Sequence, residues 1–321
     1  MASSSKEATA RETIISAQTG RDSQFVTPDH VNTWRLWGSA CFLIVLLAAF
    51  GQDLWVLAND AASSDLYSYI LLVPFVSVYL LYTRRSQLPK NYVSDYRLAI
   101  VSLAAAASTF AFSYWLSSAG AAVADHTRLA LVTLSFLCCL AAGGFFFFGR
   151  AWMRSAAFPL AYLLFMVPMP DPMRDALELA SKSASAEVAN VLFHLSGTPF
   201  LRDGAVFQLP NITIQVAQEC SGIRSSLVLV MTSILAANLF LKTSWRRVAL
   251  VAFVIPLAIL RNGFRILVIG LLCANVGPQM IHSPIHTRGG PLFFVLSLIP
   301  FLLLLWWLNR GETRTGSLKS R

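Results

Sequence analysis

Val248-Ala249-Leu250-Val251-Ala252-Phe253-Val254-Ile255-Pro256-Leu257-Ala258-Ile259-Leu260 runs without a polar side chain straight into Arg261-Asn262-Gly263-Phe264-Arg265-Ile266-Leu267. A helix across the hydrocarbon core of a bilayer needs about 20 predominantly apolar residues, and 247–273 supplies them. Pro256 should kink this helix rather than end it. Comparable runs fall at 36–57, 66–82, 98–119, 129–148, 153–170, 220–241 and 291–308, which gives eight expected spans. The fifth ends at the helix-stopping Pro168-Met169-Pro170.

Composition agrees. Of 321 residues, 56% are hydrophobic and 13% charged, against about a quarter charged in a soluble domain. The charged residues lie between the apolar runs, not along one face of each, so a soluble protein with a large core is a poor fit. The expected fold is an all-α polytopic membrane protein.

Lys and Arg alternate unequally across the spans. Seventeen lie on the side of both termini, five on the other, and Arg224, Arg261 and Arg265 fall inside expected helices. That asymmetry places both termini in the cytoplasm. It also accounts for the net charge of +9 without nucleic acid as a partner. Cys41, Cys138, Cys139, Cys220 and Cys273 are odd in number and lack CxxC spacing, so neither a disulfide framework nor a thiolate metal site is indicated. Residues 1–33 read as a disordered cytoplasmic tail, 34–310 as one transmembrane domain and 311–321 as a basic cytoplasmic tail.

The one long outer segment is 171–219. Met173, Leu177, Ala180, Ala184, Val188, Val191 and Leu195 recur at helical spacing, which predicts an amphipathic helix in the outer interface. The period then changes. Leu201-Arg202-Asp203-Gly204-Ala205-Val206-Phe207 reads as a hairpin about Asp-Gly, and Ile212, Ile214 and Val216 alternate with polar residues. A small β-meander should therefore lead to the sixth helix.

Charges within a bilayer mark functional sites by default. The sixth helix opens with Glu219-Cys220-Ser221-Gly222-Ile223-Arg224. A helix N-terminus favours a thiolate, Gly222 allows a substrate backbone to approach, and Arg224 lies one turn beyond Cys220. Arg265 is eighteen residues above Arg247, about 27 Å of helix, so it should reach the level of Cys220 with Arg261 one turn deeper. The outer loop His282-Ser283-Pro284-Ile285-His286-Thr287-Arg288-Gly289-Gly290 adds imidazoles. A thiol, arginines and a histidine at one level suit acyl transfer.

These three motifs resemble those of the exosortase/archaeosortase family: the Cys220 motif, Asn262-Gly263-Phe264-Arg265 and His286-Thr287-Arg288-Gly289-Gly290. The approach through Arg202-Asp203-Gly204 and Leu209-Pro210 is similar too. The resemblance implies a membrane cysteine transpeptidase or protease acting on exported proteins that carry a C-terminal sorting signal. Such a signal has a Pro-Glu-Pro-type motif, a hydrophobic helix and a basic tail. It implies Cys220 as nucleophile, Arg265 as essential arginine and His286 as essential histidine, with no cofactor. It also implies a core enzyme without a fused C-terminal domain, in a bacterial cytoplasmic membrane with its active site on the periplasmic side.

Arg224, Arg261, Gly222 and Asn262 are the expected substrate-binding residues, and how the arginines divide their roles is open. Membrane lipids and an unidentified acceptor nucleophile are the other expected partners. Cys41, Cys138, Cys139 and Cys273 read as structural, and His126 and His194 as bystanders. His282 competes with His286. A metal site from His282, His286 and Cys220 has no compelling ligand spacing, so none is expected. The alternative function is a transporter or binding protein that holds an anionic substrate on the intramembrane arginines, but the repeated halves common in transporters are missing.

Overall fold

The computed structural model describes residues 33–64, 66–89, 92–118, 125–210, 212–215, 222–277, 279–280 and 290–318. Its helices are α1 (Thr33–Ala49), α2 (Gly51–Ser63), α3 (Val73–Thr83), α4 (Tyr96–Ser118), α5 (Asp125–Phe147), α6 (Gly149–Ser155), α7 (Ala157–Tyr162), α8 (Asp171–Ser196), α9 (Ile223–Phe240), α10 (Ser244–Asn275) and α11 (Gly290–Leu318). Short 3₁₀ turns precede α3 and follow α7, and three strands lie between α8 and α9. The expected tail of residues 1–33 lies outside the described residues except for Thr33, and α11 continues beyond the expected eighth span.

Among the described residues, five helical segments are long and apolar enough to cross a membrane: Tyr96–Ser118, His126–Phe147, Ile223–Phe240, Ser244–Asn275 and Gly290–Glu312. The α1–α2 pair would be a sixth if it forms one span, but it bends by 67° at its break. Ser68–Thr83 and Ala157–Met166 are shorter apolar helices. The expected continuous helix over 153–170 is instead divided into the end of α6, α7 and a 3₁₀ turn. Pro159 contributes no backbone N–H to the ladder there.

The spine is α10. Its 32 residues extend about 48 Å at 1.5 Å per residue, well beyond a hydrocarbon core of about 30 Å. Its first half buries Leu250, Val254 and Leu257 against Leu229, Ala236 and Ala237 of α9 and Phe301, Leu305 and Leu308 of α11. Glu312 accepts backbone N–H bonds from Lys242 and Thr243 at 2.7–3.1 Å, and Arg246 donates to Leu308 O at 2.8 Å. These contacts fix the turn into α10. Since α9 and α10 are antiparallel about this turn, the start of α9 stands level with Arg261.

The second half of α10 projects past α9 and carries a separate core. Ile266, Leu267, Ile269 and Cys273 pack with Ala186, Ala189 and Phe193 of α8 and with Phe207, Leu209 and Ile214 of the strands. Close helix approach requires glycine: a Cβ on Gly263 would lie 2.5 Å from Val188 Cγ1, and one on Gly270 would lie 2.5 Å from Phe193 Cζ.

Helix α8 therefore docks along α10 through Ser185, Ala186, Ala189 and Phe193. The stripe that marked it as amphipathic is split: Val188 packs against Gly263, whereas Met173, Leu177, Val191 and Leu195 stay exposed. That exposed stripe remains available to apolar surroundings.

The strands β1 (Leu201–Asp203), β2 (Val206–Leu209) and β3 (Ile212–Gln215) form an antiparallel sheet in chain order. Asp203 pairs with Val206 across Gly204-Ala205. Gly204 takes φ +58°, the left-handed conformation a two-residue hairpin loop demands. Arg202 clamps the sheet to α8, its Nη1 and Nη2 bonding both Glu187 oxygens at 3.0 and 2.6 Å. Those bonds hold the Glu187 carboxyl below its ordinary range and raise the Arg202 guanidinium.

His126 is a second fastener at this end of the molecule, not the bystander expected. Its Nε2 lies 3.4 Å from Asp60 and its Nδ1 lies 3.3 Å from Asp171, which also pairs with Arg174 at 2.9 Å. It thereby joins the ends of α2, α5 and α8.

Candidate functional site

Gly222 precedes the first residue of α9 with φ +67°, a left-handed conformation that glycine adopts without penalty. As the capping residue it supplies no side chain to the orphan N–H groups of the first turn. Four donors meet its carbonyl oxygen: Ser226 N at 3.0 Å, Ser225 Oγ at 3.0 Å, Ser226 Oγ at 2.8 Å and Arg261 Nη2 at 3.3 Å.

Arg261 Nη2 also donates to Ser226 Oγ at 3.2 Å. The side chain is only 7% exposed, and its Nη1 has no hydrogen-bond partner among the described residues. Arg265 follows one turn later on the same face and is half-buried. Like charges at this spacing repel, and burying a guanidinium is costly without a counter-charge. A negative charge beside Arg261 would offset that cost.

Asn262 links the α9 entry to α8. Its Nδ2 donates to Ser185 Oγ at 3.0 Å in a buried contact with α8. A Cβ on Gly222 would lie 3.0 Å from Asn262 Oδ1 and 3.4 Å from Arg261 Nη2. Glycine thus lets the α9 entry close against both residues.

The structure brings Gly222, Arg261 and Asn262 into one contact set. Arg224 turns outward, with Nη2 placed 3.5 Å from Ser68 Oγ. Cys220, His282 and His286 lie outside the described residues, although their flanks are defined. Cys220 is two residues before Gly222, and His286 is four before Gly290, where α11 begins. The first turn of α11 meets α10 where Phe293 packs edge-on to Phe264, with centroids 6.3 Å apart.

Two partners escaped sequence reading. Ser226 is one turn inside α9, next to Ser225 in the polar start of the helix, which is a signal of a polar contact. Ser185 sits among small residues with no distinguishing pattern. Cys273 is fully buried in the core beneath the sheet.

Apolar spans with a buried arginine at one helix entry define a polytopic membrane protein. The family model described as transmembrane exosortase (Exosortase_EpsH) matches residues 59–303, about three quarters of the chain. The chain belongs to the transmembrane exosortase family. No curated protein and no solved structure matches it.

Proposed function

We propose that this exosortase is a cysteine transpeptidase or protease that cleaves C-terminal Pro-Glu-Pro-type sorting signals of exported proteins at the outer face of the cytoplasmic membrane. The observation that carries this reading is the buried Arg261 guanidinium against Gly222 O at 3.3 Å. It sets a cationic face beside the helix entry that follows Cys220. Family membership supports a peptidase over a transporter.

In this reading His286 takes the Cys220 proton, and the thiolate attacks the scissile carbonyl carbon. Arg265 and the first-turn N–H groups of α9 stabilise the tetrahedral oxyanion. Its collapse breaks the C–N bond, His286 protonates the leaving amine, and an acyl thioester remains on Cys220. Water or an acceptor nucleophile then attacks the thioester and releases the thiol. Arg261 or Arg224 binds the acidic residue of the signal, while Gly222 and Asn262 shape the groove for its backbone.

The topology that goes with this chemistry has eight spans, counting the α1–α2 pair, Ser68–Thr83 and Ala157–Met166 with the five long helices. Both termini are then cytoplasmic, and the sheet and α8 are periplasmic.

The test is co-expression of a tagged protein ending in such a signal, with the product's mass read by mass spectrometry. Wild type should shorten the tagged protein at the signal, and Cys220→Ala should leave it intact. Equal shortening by the variant would refute the thiol mechanism.

A further inference from the structure

At the opposite, arginine-rich end, α6 is pinned to the segment that enters α4. Gly149, at φ +78°, lies so close to Val93 that a Cβ would fall 1.6 Å from its carbonyl oxygen. Arg35 donates to Tyr92 O at 2.9 Å and to Phe147 O at 3.1 Å, bracing the same corner from α1. Asp95 N bonds Phe145 O at 3.0 Å.

This bracing sets Arg150 and Arg154 of α6, one turn apart, in the same hollow as Arg97 of α4. None of the three forms an ion pair or side-chain hydrogen bond among the described residues. The nearby carboxylate of Asp95 is committed to the start of α4, where it accepts Leu98 N–H at 3.1 Å. Three guanidiniums thus share the hollow with one carboxylate, which leaves it net positive.

Arg150 and Arg154 also close one end of a second cavity. It is an apolar groove of about 670 Å³ between α4, α5 and α7, with Val101, Ala105, Leu137, Ala161 and Leu164 in its walls. The hollow that adds Arg97, Ser94 and Tyr96 is about 860 Å³. The two share both arginines. An apolar slot that opens onto a cationic hollow has the polarity of an anionic amphiphile. Basic pockets between membrane helices are a recurrent means of holding lipid headgroups.

We propose that the groove between α4, α5 and α7 binds one anionic glycerophospholipid, its acyl chain in the slot and its phosphate on Arg97, Arg150 and Arg154. The basic tail of a sorting signal would be repelled from the same hollow. The lipid belongs to the leaflet at the arginine-rich end, and the site is independent of the peptidase reading.

Native mass spectrometry of the full chain in mild detergent tests this, with phosphatidylglycerol, phosphatidylcholine and inorganic phosphate as separate probes. Wild type should retain one phosphatidylglycerol in clear preference to phosphatidylcholine, and phosphate should not displace it. Arg150→Gln with Arg154→Gln should weaken phosphatidylglycerol by on the order of tenfold or more. Arg97→Gln serves as the milder variant should the pair fail to fold. Ala161→Phe, which fills the slot, should lower retention of both lipids. Equal retention of the two lipids by wild type would overturn the proposal. So would displacement by phosphate, a headgroup preference that survives loss of the arginines, or unchanged retention in Ala161→Phe.

Discussion

Arg261 of α10 reaches across 39 positions of sequence to hold the carbonyl oxygen of Gly222 at 3.3 Å. A buried cation is thereby held at the entry of α9, on a carbonyl that three neutral donors already meet. Such an arrangement trades stability for a charged site.

Replacing Arg261 should separate those two quantities. Arg261→Met removes a buried charge of similar length, so its thermal midpoint in detergent should equal or exceed that of wild type. Cleavage of a sorting-signal substrate should fall on the order of 10²-fold. Arg261→Lys keeps the charge but not the fork that reaches Gly222 O and Ser226 Oγ together, and should recover only part of the rate.

Gly222 tolerates no side chain. Gly222→Ala forces a Cβ into the left-handed region, costing about 1–2 kcal/mol, and pushes it to 3.0 Å from Asn262 Oδ1. Both stability and cleavage should drop. Gly222→Asn should lose less stability than Gly222→Ala, since asparagine enters that region more readily.

The crossing of α8 on α10 depends on Gly263. Gly263→Ala should destabilise by about 1–3 kcal/mol through overpacking on Val188. Val188→Ala in the same chain should restore part of that loss, because the clash is with Val188 Cγ1 at 2.5 Å. A double-mutant cycle on unfolding midpoints reads the coupling.

Much of this architecture was legible in the sequence. Apolar length marked α4, α5, α9, α10 and α11, because crossing a bilayer demands a long uninterrupted run. The Asp203-Gly204 turn announced the hairpin, since only a few residues accept its backbone. The bend between α1 and α2 was not legible, nor was the breakup of 153–170. Both depend on how neighbouring helices pack, and hydropathy is blind to that. The docking face of α8 was misleading for a related reason. Its large apolar residues advertise one stripe, while the face that docks buries Ser185, Ala186, Ala189 and Phe193 and fits Val188 and Phe193 onto Gly263 and Gly270. His126 looked idle in sequence because Asp60 and Asp171 approach it only in three dimensions.

The Glu187–Arg202 clamp carries a pH signature. Hydrogen bonds from Arg202 lower the Glu187 carboxyl, so the folded form binds its proton less readily than the unfolded chain does. The contribution is present above the unfolded carboxyl's pKa of about 4.3 and is lost as pH falls through the lowered folded value. Glu187→Gln should therefore lower the unfolding midpoint slightly at pH 6 and make no difference at the acid end of the range. The pair is solvent-exposed, so high salt should shrink the difference.

The proposed chemistry passes through an acyl enzyme on Cys220. Its most direct measurement is peptide mapping of the full-length enzyme trapped with a sorting-signal substrate, followed by hydroxylamine treatment. The account predicts a hydroxylamine-labile adduct on Cys220 that carries the substrate's new C-terminal residue, and no adduct in Cys220→Ala. An adduct on another residue, or substrate shortening that persists in Cys220→Ala, would contradict it.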